Sequence, residues 1–198
     1  MLVNRRRLLV GSLTSAATFA APLSAYGLDP AQFGVRPGAV DDQSRALQRA
    51  IDQAAGTRAP LALAPGMYRA GDLKLPSGAQ LVGARGATRI VLTRGPSLLS
   101  AEGGDSITLT GLILDGGGQP LPQNRGLVHL VAAKAVRIAD CSIDRAGGNG
   151  ISLERCEGHV TGNTITGSDN NAVFCNDGSG VIISSNTIRG CGNGGILV

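Results

Sequence analysis

Two aspartates, Asp115 and Asp144, have the residue type and spacing that acid–base chemistry needs. Each directly follows an apolar residue of a short alternating segment, Leu114 in one case and Ile143 in the other. If the two segments are neighbouring parallel strands, the outward carboxyl groups can lie about 5 Å apart. Two carboxylates with different pKa values can then act as general acid and general base. The competing interpretation is that both aspartates are ordinary solvated turn residues at strand ends.

Three further polar side chains extend this candidate site as substrate-binding residues. Arg145 follows Asp144 and could hold the carboxylate of an acidic sugar by forked hydrogen bonds. Arg189 occupies the position equivalent to Asp144 two repeats later in the chain. Asp169 is a candidate for contacting a sugar hydroxyl or a metal ion, with a simple corner turn as the alternative. One carboxylate is too few for a calcium site, so we predict no metal.

Signatures of cofactors are missing from the sequence. His129 and His159 have no Cys or His partners at zinc-ligand spacing. The stretch around Gly148 and Gly150 lacks the third glycine of the dinucleotide fingerprint. We therefore expect no cofactor. His129 lies between two residues expected to point inward, so we predict that its side chain is exposed.

The aspartates fall within a repeat whose period is 22 or 23 residues, and this period predicts a solenoid. Polar and apolar positions recur at the same interval, so equivalent residues are expected to stack on one another. The equivalent positions are Ile138, Val160 and Ile183; Cys141, Asn163 and Asn186; Ile143, Ile165 and Ile188; and Ile151, Val173 and Ile196.

Within each repeat, apolar and polar residues alternate over two short segments, which are predicted to be strands. Clusters of Gly and Asn separate the segments and are expected to supply positive φ at the corners. The fold class predicted from this pattern is all-β, a parallel β-helix. A leucine-rich repeat is the competing fold, because 136–143 and 181–188 match its signature. The second alternating pair of each turn and the abundance of Ile, Val, Thr and Gly argue against the helix that a leucine-rich repeat requires.

A helix is predicted from Gln43 to Ala55, with Asp42 as its N-cap. Its apolar stripe has helical spacing, and Gly56 can end it. The first turn of a solenoid needs a cover over its open edge, and this helix is predicted to be that N-terminal cap.

The first 27 residues have the features of a twin-arginine signal peptide. Arg5, Arg6 and Arg7 precede an apolar run that is too short and too rich in small residues to span a membrane comfortably. We expect export to the periplasm or beyond, and no stable membrane anchor after removal of the signal. The remaining chain has a net charge close to +1 and few aromatic residues, which argues against nucleic acid as a partner.

Five segments in the first part of the chain share a pattern with a known superfamily: Phe33-Gly34, Val40-Asp41-Asp42, 46–52, 63–68 and 73–83. They resemble the N-terminal region of the pectate-lyase-like right-handed β-helix superfamily. This resemblance implies a right-handed coil in a superfamily that contains polysaccharide lyases, hydrolases, epimerases and proteins that only bind. The repeats at 59–198 lack the adjacent aspartates and Gly-His-Gly of the polygalacturonase branch and the basic site of pectate lyases.

The predicted organisation is a signal at 1–27, a lead-in and cap helix at 28–58, and β-helix repeats at 59–198. The sequence stops on a strand at Val198, so we expect it to be a fragment of a longer repeat protein. We predict an exported module that binds polysaccharide or serves as a surface scaffold. The alternative is a carbohydrate-active enzyme, a lyase or hydrolase, that uses the aspartate row. A purely structural surface protein is a third possibility.

The four cysteines are predicted to be buried free thiols. Cys141 and Cys175 fall in inward columns, where a thiol behaves as a small apolar group, whereas Cys156 and Cys191 fall at corners. An oxidising compartment permits disulfides without implying them. The insertion 116–125 lengthens one turn and could line a binding face.

Overall fold

The structure is a computed structural model that describes residues 27–198, so the predicted signal segment lies outside it apart from Gly27. This part of the chain forms a parallel β-helix of three six-stranded sheets. Sheet A contains β1 (Leu61–Leu63), β4 (Gln80–Gly83), β7 (Thr108–Thr110), β10 (Val136–Ala139), β13 (Gly158–Thr161) and β16 (Val181–Ser184). Sheet B contains β2 (Gly66–Ala70), β5 (Thr88–Leu92), β8 (Leu112–Asp115), β11 (Ser142–Asp144), β14 (Thr164–Thr166) and β17 (Thr187–Arg189). Sheet C contains β3 (Leu73–Lys74), β6 (Leu99–Glu102), β9 (Gly126–Val131), β12 (Asn149–Glu154), β15 (Asn171–Asn176) and β18 (Gly194–Leu197).

Equivalent residues of successive turns stack in register, as the period predicts. Ile138 of β10 pairs with Leu109 of β7 on one side and with Val160 of β13 on the other. Inward positions of the interior turns are almost fully buried and form one continuous apolar core. The prediction of an all-β parallel β-helix is confirmed.

The prediction of two segments per turn is wrong, because each turn contains three strands. Ile138 and Ile143, interpreted as one segment, lie on β10 and β11 in different sheets. Asp140 between them adopts a left-handed conformation with φ of 54° and bends the chain. The two isoleucines are five positions apart, and an odd interval places side chains on opposite faces of a straight strand. A corner lets both point inward.

The predicted asparagine ladder occupies the corner between sheets A and B. Asn163 is buried; its Oδ1 accepts a bond of 3.0 Å from the Cys141 backbone N–H, and its Nδ2 donates to the Ile138 carbonyl at 2.9 Å. Asn186 on the next turn accepts from the Asn163 backbone N–H at 2.9 Å and from Asn163 Nδ2 at 3.0 Å. The ladder therefore satisfies backbone groups that the corner removes from the sheets.

The glycines at the corner before sheet C have a different role from the one predicted. Gly147, Gly148 and Gly150 are not among the residues with positive φ. They permit close approach instead, since a Cβ at Gly147 would lie 2.0 Å from the Gln119 carbonyl oxygen. The left-handed positions of this turn directly follow its three strands, at Asp140 after β10, Arg145 after β11 and Arg155 after β12, with φ of 54°, 50° and 51°.

The cap helix, α1, spans Ser44–Gly56, so it begins one residue later than predicted. Gln43 is the N-cap and makes no side-chain capping bond, whereas Asp42 Oδ1 accepts from the Ser44 backbone N–H at 2.9 Å. Leu47 and Ile51 are completely buried against the first turn. Within residues 27–198, no helix combines the length and apolar character needed to cross a membrane.

The four cysteines are unpaired in the described chain, and three of them, Cys141, Cys156 and Cys175, are buried. Burial raises the pKa of the Cys141 thiol to about 11, which keeps it protonated and unreactive at neutral pH. Cys191, on the last turn, is partly exposed.

Candidate functional site

The two aspartates singled out from the sequence lie side by side on the outer face of sheet B. Asp144 of β11 pairs in register with Asp115 of β8, and Thr166 and Arg189 follow in the same column. Asp144 and Asp115 therefore occupy adjacent turns, which is the arrangement that the paired-carboxylate hypothesis requires.

Asp115 is held by two arginines and a backbone N–H group. Arg145 donates from Nε to Oδ1 at 3.1 Å and from Nη2 to Oδ2 at 2.6 Å. Arg89 Nη1 lies 2.5 Å from Oδ2, and the Gly117 backbone N–H donates to Oδ1 at 2.9 Å. The outward position predicted for Asp115 is thus not an exposed one, since the residue is 1% exposed beneath these arginines. The correction matters because a covered carboxylate is not free to meet substrate.

Arg89 is the member of this cluster that sequence reasoning missed. It lies on β5, whose register places it against Ile113 rather than in the aspartate column. Its Nη1 also lies 3.5 Å from Asp144 Oδ2, so one guanidinium bridges both carboxylates. The bridge places a positive charge between two negative ones and so reduces their mutual repulsion.

The ionisation of Asp115 follows from these contacts. Burial opposes the charged form, but the bonds from Arg145, Gly117 and Arg89 outweigh burial and lower the pKa of this carboxyl. A carboxyl with a lowered pKa is a poor proton donor at neutral pH. Arg145 also directs its Nε and Nη2 at Asp115, so the positive charge that was predicted to hold a sugar carboxylate is already paired within the chain.

Asp144 is the more accessible of the pair. Its Oδ1 accepts from Ser142 Oγ at 2.8 Å and from Thr166 Oγ1 at 3.1 Å. The two aspartates, Arg89 and Arg145 line a shallow open cleft of about 510 Å³. We call this group the sheet B cluster. Its catalytic role stays a prediction that the hydrogen bonding does not favour.

The other predicted binding residues lie apart from this pair. Arg189 is exposed on the last turn, two turns beyond Asp144. Asp169 is exposed at the corner before sheet C, where its backbone N–H donates to the Ala146 carbonyl at 2.8 Å. Within residues 27–198, no three metal-ligating side chains form a cluster.

A larger cavity of about 780 Å³ lies on the outer face of sheet C. We call it the sheet C groove. Two columns of side chains form its floor, and the end of the insertion, residues 123–125, forms one wall. The first column contains His129, Ser152 and Phe174, and the second contains Glu102, Val131 and Glu154.

His129 is buried in this floor, so the prediction that it is exposed is wrong. It does point outward, but the insertion folds over it and leaves 7% of the residue exposed. The insertion is anchored there because Ser152 Oγ donates to the Asn124 carbonyl at 2.9 Å. The Asn149 backbone N–H also donates to the Arg125 carbonyl at 3.0 Å.

The imidazole of His129 is left without a full set of partners. Its Nδ1 is buried and has no hydrogen-bond partner among the described residues. Burial, followed by the charge of Arg125, lowers the pKa of His129, so the ring is neutral at neutral pH. A buried polar atom without a partner costs about 1–3 kcal/mol, which a water or ligand could recover.

Glu102 and Glu154 stand on either side of Val131 in the second column. The register places them two turns apart, so their backbones are separated by about 10 Å. Glu154 forms an ion pair with Arg155. Glu102 is exposed and has no ion-pair partner within residues 27–198.

Known proteins support the architecture of the chain. A solved structure from Parabacteroides merdae, described as that of a proposed glycosyl hydrolase, superposes with a TM-score of 0.69 at 16% identity, covering 87% of this chain and 96% of that one. The ORF18 protein of Geobacillus virus E2 gives a TM-score of 0.66 at 16% identity, covering 85% of this chain and 42% of that one. At such identities the likeness concerns the fold alone. A search of curated proteins gives no significant match.

The family comparison is more specific than these superpositions. The profile described as "Right handed beta helix region" matches residues 99–198, which is half of the chain and includes the last four turns. The chain belongs to the right-handed β-helix family.

Proposed function

We propose that the chain is an exported β-helix module that binds polysaccharide in the sheet C groove. The observation that carries this proposal is the buried His129, whose side chain lies on the floor of a cleft of about 780 Å³ and whose Nδ1 has no partner among residues 27–198. Native proteins rarely leave such an atom unsatisfied, so a ligand or ordered water at this floor is expected.

The chemistry of the groove suits a sugar chain. Phe174 is half-buried on the floor and offers an aromatic face to the apolar face of a sugar ring. Gln123, Asn124 and Asn176 supply amides at the walls, and Glu102 supplies a free carboxylate. One aromatic face among many hydrogen-bonding side chains suits a ligand that is rich in hydroxyl groups. The name of the Parabacteroides merdae protein is compatible with a carbohydrate-related role.

Binding is tested by titrating the full chain with a panel of soluble polysaccharides in a calorimeter. We expect at least one of them to bind, and His129→Asn to weaken that binding by about tenfold. His159→Asn is the matched control, because His159 is exposed on sheet A, away from the groove. Equal loss in both variants, or no binding by any member of the panel, would refute the proposed site.

Export is tested separately with the signal. A reporter fused behind residues 1–27 should reach the periplasm by the twin-arginine route, and replacing Arg5 and Arg6 by Lys should abolish this. Retention of the unaltered fusion in the cytoplasm would contradict the export proposal without bearing on binding.

A second candidate function, glycoside hydrolysis, is favoured by one observation. Glu102 and Glu154 line the same groove two turns apart. The carboxyl separation of inverting glycosidases is about 6.5–9.5 Å, and side chains on backbones about 10 Å apart can reach it. One carboxyl would protonate the leaving oxygen while the other deprotonates the attacking water. In the sheet B cluster, by contrast, Asp115 is covered and bound by two arginines.

The two candidates are separated by measuring reducing ends released from a polysaccharide that binds. Hydrolysis predicts release that Glu102→Gln and Glu154→Gln both abolish, and an inverted anomer seen by NMR. Release that survives both variants, or that is lost only in Asp144→Asn, would exclude this pair.

A further inference from the structure

The charges along the sheet C groove indicate which glycans can occupy it. We infer that its ligand is a glycan without acidic groups and that polyuronates are excluded; this inference rests on the proposed function.

The groove is longer than its main cavity. A second cavity of about 330 Å³ shares Glu102 with it and continues toward the cap helix, lined by Asp52 and Lys74. Lys74, Ser100, His129, Ser152 and Phe174 form one column in register across five successive turns. Four intervals of about 4.8 Å give a length of about 19 Å, enough for several sugar units.

Carboxylates outnumber available cations along this length. Asp52 and Glu102 face the groove without ion-pair partners in residues 27–198, whereas Glu154, which also faces it, is paired with Arg155. Lys74 and Arg125 are the cations that line the groove in the described chain. The Lys74 ammonium is engaged by Asp72 Oδ1 at 2.9 Å and by Ser100 Oγ at 3.1 Å. Arg125 is therefore the one groove cation without an ion-pair partner in residues 27–198.

A polyuronate carries a carboxylate on every sugar unit, so it needs cations repeated along the groove. It would instead place negative charges beside Glu102, where like charges repel. His129 adds no compensating charge, because it is neutral at neutral pH. An uncharged chain meets no such penalty and can use the amides at the wall, Ser152 and Phe174.

The arginine-rich face of the molecule does not offer a polyuronate an alternative site. Arg145 directs two nitrogens at Asp115, and Arg89 is shared between Asp115 and Asp144. Both guanidinium groups are thus neutralised by carboxylates of the same cluster. A sugar carboxylate would add a third negative charge to two cations that two carboxylates already neutralise.

The test compares binding of three kinds of soluble polymer to the full chain. The probes are neutral polymers (mannan, laminarin and xylan), chitosan oligomers as the cationic class, and polygalacturonate and alginate as the acidic class. We expect a neutral or cationic polymer to bind at least about tenfold more tightly than either polyuronate. Binding of a neutral polymer should change less than about twofold between about 0.05 and 0.5 M salt.

A charge reversal sharpens the result. Glu102→Arg should raise affinity for polygalacturonate by about tenfold or more, since it removes a repulsion and adds an attraction. Glu157→Arg is the control; Glu157 is exposed and lies outside both cavities. Its polygalacturonate affinity should match that of the unaltered chain. Glu102→Gln distinguishes a cationic ligand from a neutral one. The variant should weaken the binding of chitosan much more than the binding of a neutral polymer.

Three outcomes would overturn the inference. Polyuronate binding as tight as neutral binding would contradict it while supporting the proposed function. Equal gains in the two charge-reversal variants would show that the effect is not located in the groove. No binding by any polymer would refute the proposed function and this inference with it.

Discussion

The sheet B cluster and the sheet C groove both place acidic and basic side chains on the outer surface of the β-helix, but they differ in how completely those groups are satisfied. On sheet B, each oxygen of Asp115 accepts at least two hydrogen bonds from its own chain. On sheet C, Glu102 has no ion pair and His129 Nδ1 has no partner among the described residues. Polar groups whose hydrogen bonds are all made within the chain stabilise the fold. Polar groups that keep free hydrogen-bonding capacity are available to a ligand.

The largest effect that this contrast predicts is a loss of stability in Asp115→Ala. The variant leaves two arginines facing each other without their shared carboxylate, and we expect a loss of about 2–3 kcal/mol, reduced from the fully buried case because both arginines reach solvent. Urea denaturation measures the free energy of unfolding. Glu154→Ala in the groove should cost less than about 1 kcal/mol, because its ion pair with Arg155 is at the surface. Equal losses in the two variants would remove the distinction between the regions.

The opposite ranking is expected for ligand binding. Phe174→Ala should weaken polysaccharide binding by about tenfold, because the aromatic platform of the groove is removed. Met67→Ala is the matched control, since Met67 is an exposed apolar side chain that lines the cleft of the sheet B cluster. Calorimetric titration of both variants with the same polymer makes the comparison. A larger loss in Met67→Ala would transfer the binding site to sheet B.

The sequence was sufficient to predict the fold because a fixed period constrains every turn at once. Stacking of Ile138 on Val160 and of Asn163 on Asn186 follows from that period alone. The third strand was missed, although the odd interval between Ile138 and Ile143 was a usable signal of a corner. A single straight strand cannot point both side chains inward.

The site was less predictable because it depends on contacts between turns of unequal length. The insertion makes the interval from Leu114 to Ile143 longer than the period, so the pairing of Asp115 with Asp144 could not be counted along the chain. Arg89 lies on β5, before the positions that define the period, and it reaches Asp115 diagonally from the neighbouring column that contains Ile113. Alternation correctly predicts that His129 points outward, but it contains no information about a loop that folds over it. A side chain that points away from the core can therefore still be buried, as the side chains of His129 and Asp115 are.

Acid titration offers a smaller, more specific distinction. Because the pKa of Asp115 is lowered in the fold, its contribution to stability is complete above the unfolded-state pKa near 4 and is lost as the pH falls through the folded value. The stability difference between the unaltered chain and Asp115→Asn should therefore be constant from about pH 5 to 7 and shrink below about pH 4. Chemical denaturation at each pH measures it. A difference that persists unchanged at low pH would mean that packing, not charge, stabilises this position.

The smallest expected effect concerns His129. Its pKa is lowered in the fold, first by burial and then by Arg125, while Glu154 and Glu102 act in the opposite direction and Lys74 adds to the lowering. The unfolded chain therefore binds a proton more readily than the folded one, and the contribution of His129 to stability is complete above about pH 6.5 and declines as the pH falls below that value. Replacing His129 by Gln should flatten the stability profile between about pH 5 and 7, by less than about 1 kcal/mol, as measured by chemical denaturation at each pH. A bound polysaccharide should deepen the decline, since a ligand that bonds to the neutral ring makes protonation still less favourable. Identical profiles with and without the polymer would show that the ligand does not reach this imidazole, and the groove would lose the residue on which its assignment depends.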